Sequence, residues 1–194
     1  MRKMELWGLL LLVIAVLLFW CYNTIPKKEE AVFAAWGDVE AACQRRLDLI
    51  PNLVETVKAY AAHEKETLQA ITEARATVGK VQISAKDLDD PAAVQKFNEA
   101  QGSMTSALSR LLVVAERYPE LKANQNFLDL QPQLEGTENR INVARQRYNE
   151  AVRIFNTSIR TFPNNLTNKL FFHLKRKEPF KAQEGASSAP SVKF

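Results

Sequence analysis

The pattern of hydrophobic and polar positions changes character once along this chain. From Leu6 to Tyr22, LWGLLLLVIAVLLFWCY is apolar without a break, and beyond it apolar residues recur at helical spacing. A helix of about 17 residues is ~25 Å long, enough to cross most of a ~30 Å hydrocarbon layer. Arg2 and Lys3 precede the run, the layout of a signal anchor. Phe19, Trp20 and Tyr22 stand where a cleavage site would need small residues, and the Trp and Tyr rings suit a membrane–water boundary. Residues 1–23 are therefore expected to form a transmembrane signal anchor.

Pro26 is expected to close the anchor and a helix to restart at Lys27. Its apolar stripe runs through Val32, Trp36, Val39, Cys43, Leu47, Ile50, Leu53, Val57, Tyr60, Leu68, Ile71 and Val78. Steps of three and four place most of these on one helix face. Pro51 lacks an N–H and its ring crowds the preceding turn, so a bend near Leu47–Ile50 is expected. A straight helix from Lys27 to Val78 would measure about 78 Å, a further reason for it to bend there. Gly79 suits a helix end. Asp90 before Pro91 marks a new start, followed by Val94, Phe97, Gln101, Met104, Leu108, Leu111, Ala115 and Tyr118. Residues 120–131 read as a short helix or turn. Pro132 then opens a third long stripe through Leu134, Thr137, Ile141, Ala144, Tyr148, Ala151, Phe155, Ile159 and Phe162, and Pro163 stops it. The pattern predicts an all-α, antiparallel four-helix-bundle-like domain over 27–163. Its fourth rod comes from the bent first helix or the short segment, and Trp36, Phe97, Tyr148 and Phe155 lie deep in its core.

The end of the chain differs. In 164–180, Leu166, Leu170, Phe171 and Leu174 share a face and basic residues surround them. That predicts a short amphipathic basic segment, with Lys169, Phe171, Phe172, Lys175, Arg176 and Lys177 at a membrane surface. A helix closing the bundle end is the competing reading. Residues 181–194, rich in Gly, Ser, Pro and Ala, read as a disordered tail.

Composition adds bounds. The roughly 170 residues after the apolar run suffice for one domain with its own core. Alternating β-branched and aromatic residues are absent, so no sheet is expected. The net charge of +4 is mild and its two signs are interspersed, which describes a solvated helical surface and argues against nucleic acid as a partner. Past the apolar run the one cysteine is Cys43, which leaves no intramolecular disulfide there and places a thiol on an apolar stripe.

Polar residues on or beside the stripes include Arg45, Arg46, Asp48, Asn52, Glu64, Glu138 and Arg140. Charges buried between helices must pair, so these are expected to fix helix register, with Glu138 or Glu116 as partner to Arg46. Catalytic and metal chemistry finds little footing. A di-metal bundle needs Glu three residues before His on two helices, and neither His63 nor His173 has it. A zinc protease motif would need His where Thr67 stands. Cys43 and His63 are about 30 Å apart on a straight helix. No cofactor and no enzyme activity are expected.

Several stretches carry a family resemblance: CYNTI after the apolar run, AAWGDVEAACQRRLDLIPNLVETVKAYAAHEKETL, ITEARATVG, ALSRLLVVAERYPELKANQNFLDLQPQLEGTENRINVARQRYNEAV and RTFPNNL. From about Tyr22 to Phe172 the chain resembles the LemA family of bacterial membrane-anchored proteins. That resemblance implies an antiparallel four-helix bundle behind a membrane segment, and no established enzyme activity. Relatives include a magnetosome protein implicated in membrane shaping, which implies a scaffold at a membrane. In some members a lipidated cysteine stands before the Tyr-Asn pair. Cys21 holds that place here, but Trp20 replaces the small residue that lipidation wants. The resemblance also implies export of the bundle.

The expected function is that of a membrane-anchored envelope scaffold or protein-interaction module. It would be a single-pass protein of the bacterial inner membrane with its bundle in the periplasm. Its partners would be the lipid bilayer and unidentified envelope proteins, with a homo-oligomer as a further option. The contact surfaces expected are Arg45–Asn52, the loop 79–91 and Leu166–Lys177. The runner-up is a bundle that holds a lipid or small apolar ligand between its helices.

Overall fold

Strong helix formers at three-and-four spacing fold as rods in the computed structural model. It describes residues 2–181, with the side chains of 2–5, 10–11, 14–15 and 17–19 outside the description. The helices are α1 (Arg2–Tyr60), α2 (Lys65–Lys80), α3 (Pro91–Ala115), α4 (Pro119–Lys122), α5 (Gln125–Ser158) and α6 (Asn164–Thr167). A 3-10 turn covers Ala85–Asp89, a π turn covers Asn168–Phe172, and residues 173–181 have no helix. No strand occurs among the described residues. The chain is all-α, and α1, α2, α3 and α5 run alternately up and down. The α1–α5 and α2–α3 pairs make the most extensive contacts.

Two prolines, Pro26 and Pro132, depart from expectation. Pro26 and Pro51 lie inside α1, and Pro132 lies inside α5. Each removes one N–H from the helix ladder, and each helix continues past it. At Pro51 the Leu47 carbonyl accepts from Arg75 Nε at 3.5 Å. At Pro132 the orphan belongs to Leu128, an exposed residue. Helix α5 starts earlier than expected because Asn124 caps it, its side chain accepting from Phe127 N at 3.2 Å. Helix α1 is therefore one rod of 59 residues, about 88 Å long.

The first reversal is at 61–64 rather than at Pro51. There the Ala61 N–H closes the last turn on Val57, and the Glu64 N–H bonds to Ala61 O. The Glu64 carboxylate accepts from Tyr118 Oη at 3.0 Å and Arg117 Nη2 at 3.1 Å. Asn124 Nδ2 donates to Tyr60 Oη at 2.9 Å. This turn is set by the end of α3 and the start of α5, not by a local breaker. The second reversal follows the sequence: Asp90 caps α3 through Ala92 N at 2.9 Å, with Pro91 first in the helix.

The core has two halves. The half near the 61–64 turn packs Ile50, Leu53, Ile71, Met104, Leu111 and Leu134 from all four long helices. In the other half α2, only 16 residues long, no longer reaches. Ile83 and Leu88 from the connection fill part of its place, and Phe180 from the chain end fills the rest. Trp36, Phe97, Tyr148 and Phe155 are all buried there, as the stripes predict. Below this half α1 leaves the bundle toward its own N-terminus.

Among the described residues no helix is long and apolar enough to cross a membrane. The apolar run 6–22 falls in part on side chains outside the description, and the tail expected over 181–194 lies outside it from residue 182. The amphipathic helix expected to reach Lys177 ends at Phe172, and the chain beyond it is extended.

Phe155 is fully buried, so Phe155→Ala should lower unfolding free energy by about 3–5 kcal/mol. Denaturant titration checks this, and an unchanged midpoint would remove Phe155 from the core.

Candidate functional site

Two arrangements stand out: a polar cluster inside the bundle and an exposed apolar collar at its base. The cluster begins with Arg46 of α1, 2% exposed between the two core halves. A guanidinium offers five donors in a rigid fork, and two other helices answer it. Nη1 donates to Glu138 Oε2 of α5 at 2.8 Å and to Thr105 Oγ1 of α3 at 2.9 Å. Nη2 donates to Gln101 Oε1, also on α3. Of the two carboxylates considered for Arg46, the structure brings Glu138; Glu116 pairs with Lys122. Two turns along α5 from Glu138, Arg145 donates to Asn98 Oδ1 and lies 4.6 Å from the centre of the Phe180 ring.

Cys43 sits beside these groups. Burial pushes its thiol up to about 11, against the pull of Arg46 and Arg145. It is a neutral core thiol at pH 7, as its place on the stripe implies. Burial also lowers the Arg145 guanidinium, and Arg46 adds to that effect. Burial raises the Tyr148 hydroxyl, which donates to Glu178 O at 2.9 Å. The polar groups thus bridge helices, with Glu138 the partly exposed member at 36%. His63 lies at the 61–64 turn and His173 at the base, at opposite ends of the bundle. Among the described residues no three His, Cys, Asp or Glu side chains gather to hold a metal.

The other polar candidates scatter. Arg45, Asp48, Asn52 and Arg140 are exposed, and Asp48 only accepts from Gln44 Nε2 within α1, at 2.7 Å. Glu64 is half-buried and holds the 61–64 turn. Asn52 edges an open groove between α1 and α5. A larger open groove, about 930 Å³, lies between α2, α3 and the chain end.

The base carries the collar. Helix α6 and the π turn pack beside α1, with the Tyr22 ring 4.8 Å from Phe172 and 6.0 Å from Phe171. Trp20, Tyr22, Phe162, Leu166, Leu170 and Phe171 are all exposed around this junction, Phe162 at 80%. Cys21 is buried. Lys169, Lys175 and Arg176 are exposed beside the collar. Lys177 is not: it is buried, 3.1 Å from Glu29 and 5.1 Å from the centre of the Phe33 ring.

Sequence reasoning passed over Gln101 and Thr105 as hydrogen-bonding groups, Arg145, and the asparagines Asn149 and Asn156. The last two stand seven apart on α5 beside core positions, a spacing that could have marked a polar line facing a neighbour.

Residues 35–194 match the model of the LemA family. The chain is 26% identical over 143 residues to "Protein LemA" of Metamycoplasma hominis, covering 74% of this chain and 61% of that protein. It is 29% identical over 160 residues to "Magnetosome protein MamQ 2" of Paramagnetospirillum magneticum, covering 74% and 59%. It is 27% identical over 158 residues to "Magnetosome protein MamQ" of Magnetospirillum gryphiswaldense, covering 73% and 58%. The chain thus spans about three-fifths of the length of these curated relatives.

Truncating Arg46 to Ala strands its partners and should cost about 3–5 kcal/mol. Glu138→Gln keeps an acceptor in place and should cost about 1–2 kcal/mol. Equal losses in denaturant unfolding would contradict the three-helix role of Arg46. Cys43 gives a pH signature. Its folded value of about 11 exceeds its ordinary 9.0, so its stabilising contribution is complete below pH 9 and is lost as pH rises toward 11. The unfolding midpoint should drop further over that interval in the native chain than in Cys43→Ala.

Proposed function

The chain belongs to the LemA family, and on that premise we propose that it is a membrane-anchored, non-enzymatic envelope scaffold. Residues 6–22 cross the inner membrane, and the bundle stands in the periplasm as an interaction module. The observation that carries this reading is the collar. Trp20, Tyr22, Leu166, Leu170 and Phe171 expose their apolar faces where the apolar run leaves the bundle, with Lys169, Lys175 and Arg176 beside them. Rings of Trp and Tyr backed by apolar and basic residues suit the headgroup layer. Leu6, Trp7, Leu9, Leu12, Val13 and Val16 are exposed on the helix beyond the collar. Water would disfavour so large an apolar surface, and lipid would accept it.

The mechanism is display. Helix α1 carries both the apolar run and a wall of the bundle without a break. The bundle is therefore held at a set height and attitude, not on a flexible tether. Confinement to a surface raises its effective concentration for other membrane partners. The interior charges serve helix register, and the exposed faces are left for partners.

Leu9→Asp combined with Leu12→Asp should move the chain from the carbonate-resistant membrane fraction to the supernatant. Retention of that variant in the membrane would contradict an anchor at 6–22. A cysteine placed at Ser188 should react with an impermeant maleimide once the outer membrane alone is opened. Reaction only after lysis would put the bundle in the cytoplasm.

A further inference from the structure

The chain end is held in an unusual way. After His173 the backbone runs extended, antiparallel to α5, and α5 grips it with two asparagines. Asn149 Nδ2 donates to Phe180 O at 3.1 Å while its Oδ1 accepts from Phe180 N at 2.8 Å. Asn156 repeats this on Lys177, at 2.8 and 2.9 Å. The spacing explains the fit. Seven helical residues rise about 10.5 Å, and three extended residues span about 10 Å. Each carboxamide offers the donor–acceptor pair that a neighbouring β-strand would offer. Glu178 N adds a bond to Leu88 O at 2.8 Å. This surface reads an extended backbone.

Side chains are read chiefly at two positions, with Leu174 packed at the edge of the same core half. Phe180 enters an aromatic box, its ring centre 5.7 Å from that of Trp36, 6.2 Å from Phe97 and 5.2 Å from Tyr148. Lys177 reaches Glu29 at 3.1 Å. Arg176 is exposed, Lys175 makes a longer pair with Asp89 at 3.8 Å, and Lys181 pairs within the segment with Glu178 at 2.9 Å.

We propose that this groove is a peptide-recognition site for an extended Lys-x-x-Phe segment, and that the chain end of a second copy fills it when the chain's own end lifts away. The second copy is the occupant because its sequence is the one the groove is seen to fit. The site needs little of its ligand beyond backbone and two side chains, the economy of strand-addition recognition. The internal arrangement also bends sharply: His173 has φ 55°, the only non-glycine residue with positive φ among those described. That conformation is strained for an L-residue, and an end donated to a neighbour need not adopt it. The groove does not rest on the membrane reading, but a surface on which copies stand side by side would favour the exchange.

The test uses two full-length variants in detergent micelles, each labelled at Ser188→Cys for resonance energy transfer. Phe180→Ala keeps the groove and weakens its own end. Asn149→Ala with Asn156→Ala keeps the end and weakens the groove. Mixed together, they should associate at least tenfold more tightly than either does with itself. A synthetic peptide of residues 174–181 should abolish the transfer, and the same peptide with Ala for Phe180 should not. Absence of transfer, equal transfer in all pairings, or equal competition by both peptides would overturn the proposal. Hydrogen exchange on the unmodified chain tests it without substitutions. The Lys177 and Phe180 amides should exchange at least tenfold faster than that of Tyr148. Equal rates would mean that the end leaves only when the whole bundle unfolds, and would also overturn it.

Discussion

A single guanidinium holds the long helices in register. Arg46 lies buried between the two halves of the core and bonds across to α3 and α5. An unpaired charge in that position would be costly, so the helices cannot slide by a turn without stranding it. Apolar packing alone tolerates such slips more readily, because stripes repeat every three or four residues. With Arg46 fixed, Leu53 and Leu134 fall in one half of the core, and Trp36 and Tyr148 in the other.

The same register creates a shortage and its remedy. Helix α2 is too short to cover the half of the bundle nearest the base. The connection after it, with Leu88, and the chain end, with Phe180, take over that task. An extended segment cannot satisfy its own backbone as a helix does, and the asparagine grips of α5 supply the missing partners. The base of the bundle is thus a composite of helices and strap, and the apolar collar forms beneath it around α1. The proposed scaffold at a membrane draws on that layout: one continuous first helix, a register lock inside, and apolar and basic groups at the junction.

The sequence by itself determined the rods and their buried faces. The three-and-four spacing identified Trp36, Phe97, Tyr148 and Phe155 as core, and Asp90 with Pro91 marked the start of α3, because these signals lie within a turn or two of chain. The cost of a buried charge was legible too, and it singled out Arg46 and Glu138 as candidate partners. Family membership was carried by long runs such as RRLDLIPNLVETVKAYAAHE.

Other features were decided only by tertiary structure. The reversal at 61–64 has no glycine or proline; Glu64 and Tyr60 are held there by residues about 50 to 60 positions away. At Pro51 the carbonyl orphaned in α1 is taken by Arg75, from another helix. The segment 173–181 has the composition of a basic amphipathic surface piece, yet Lys177 turns inward to Glu29 and Phe180 enters the aromatic box. Periodicity reports what each stretch prefers with its nearest neighbours. Where the chain turns, and which polar groups are satisfied, depends on partners that only the folded arrangement brings within bonding distance.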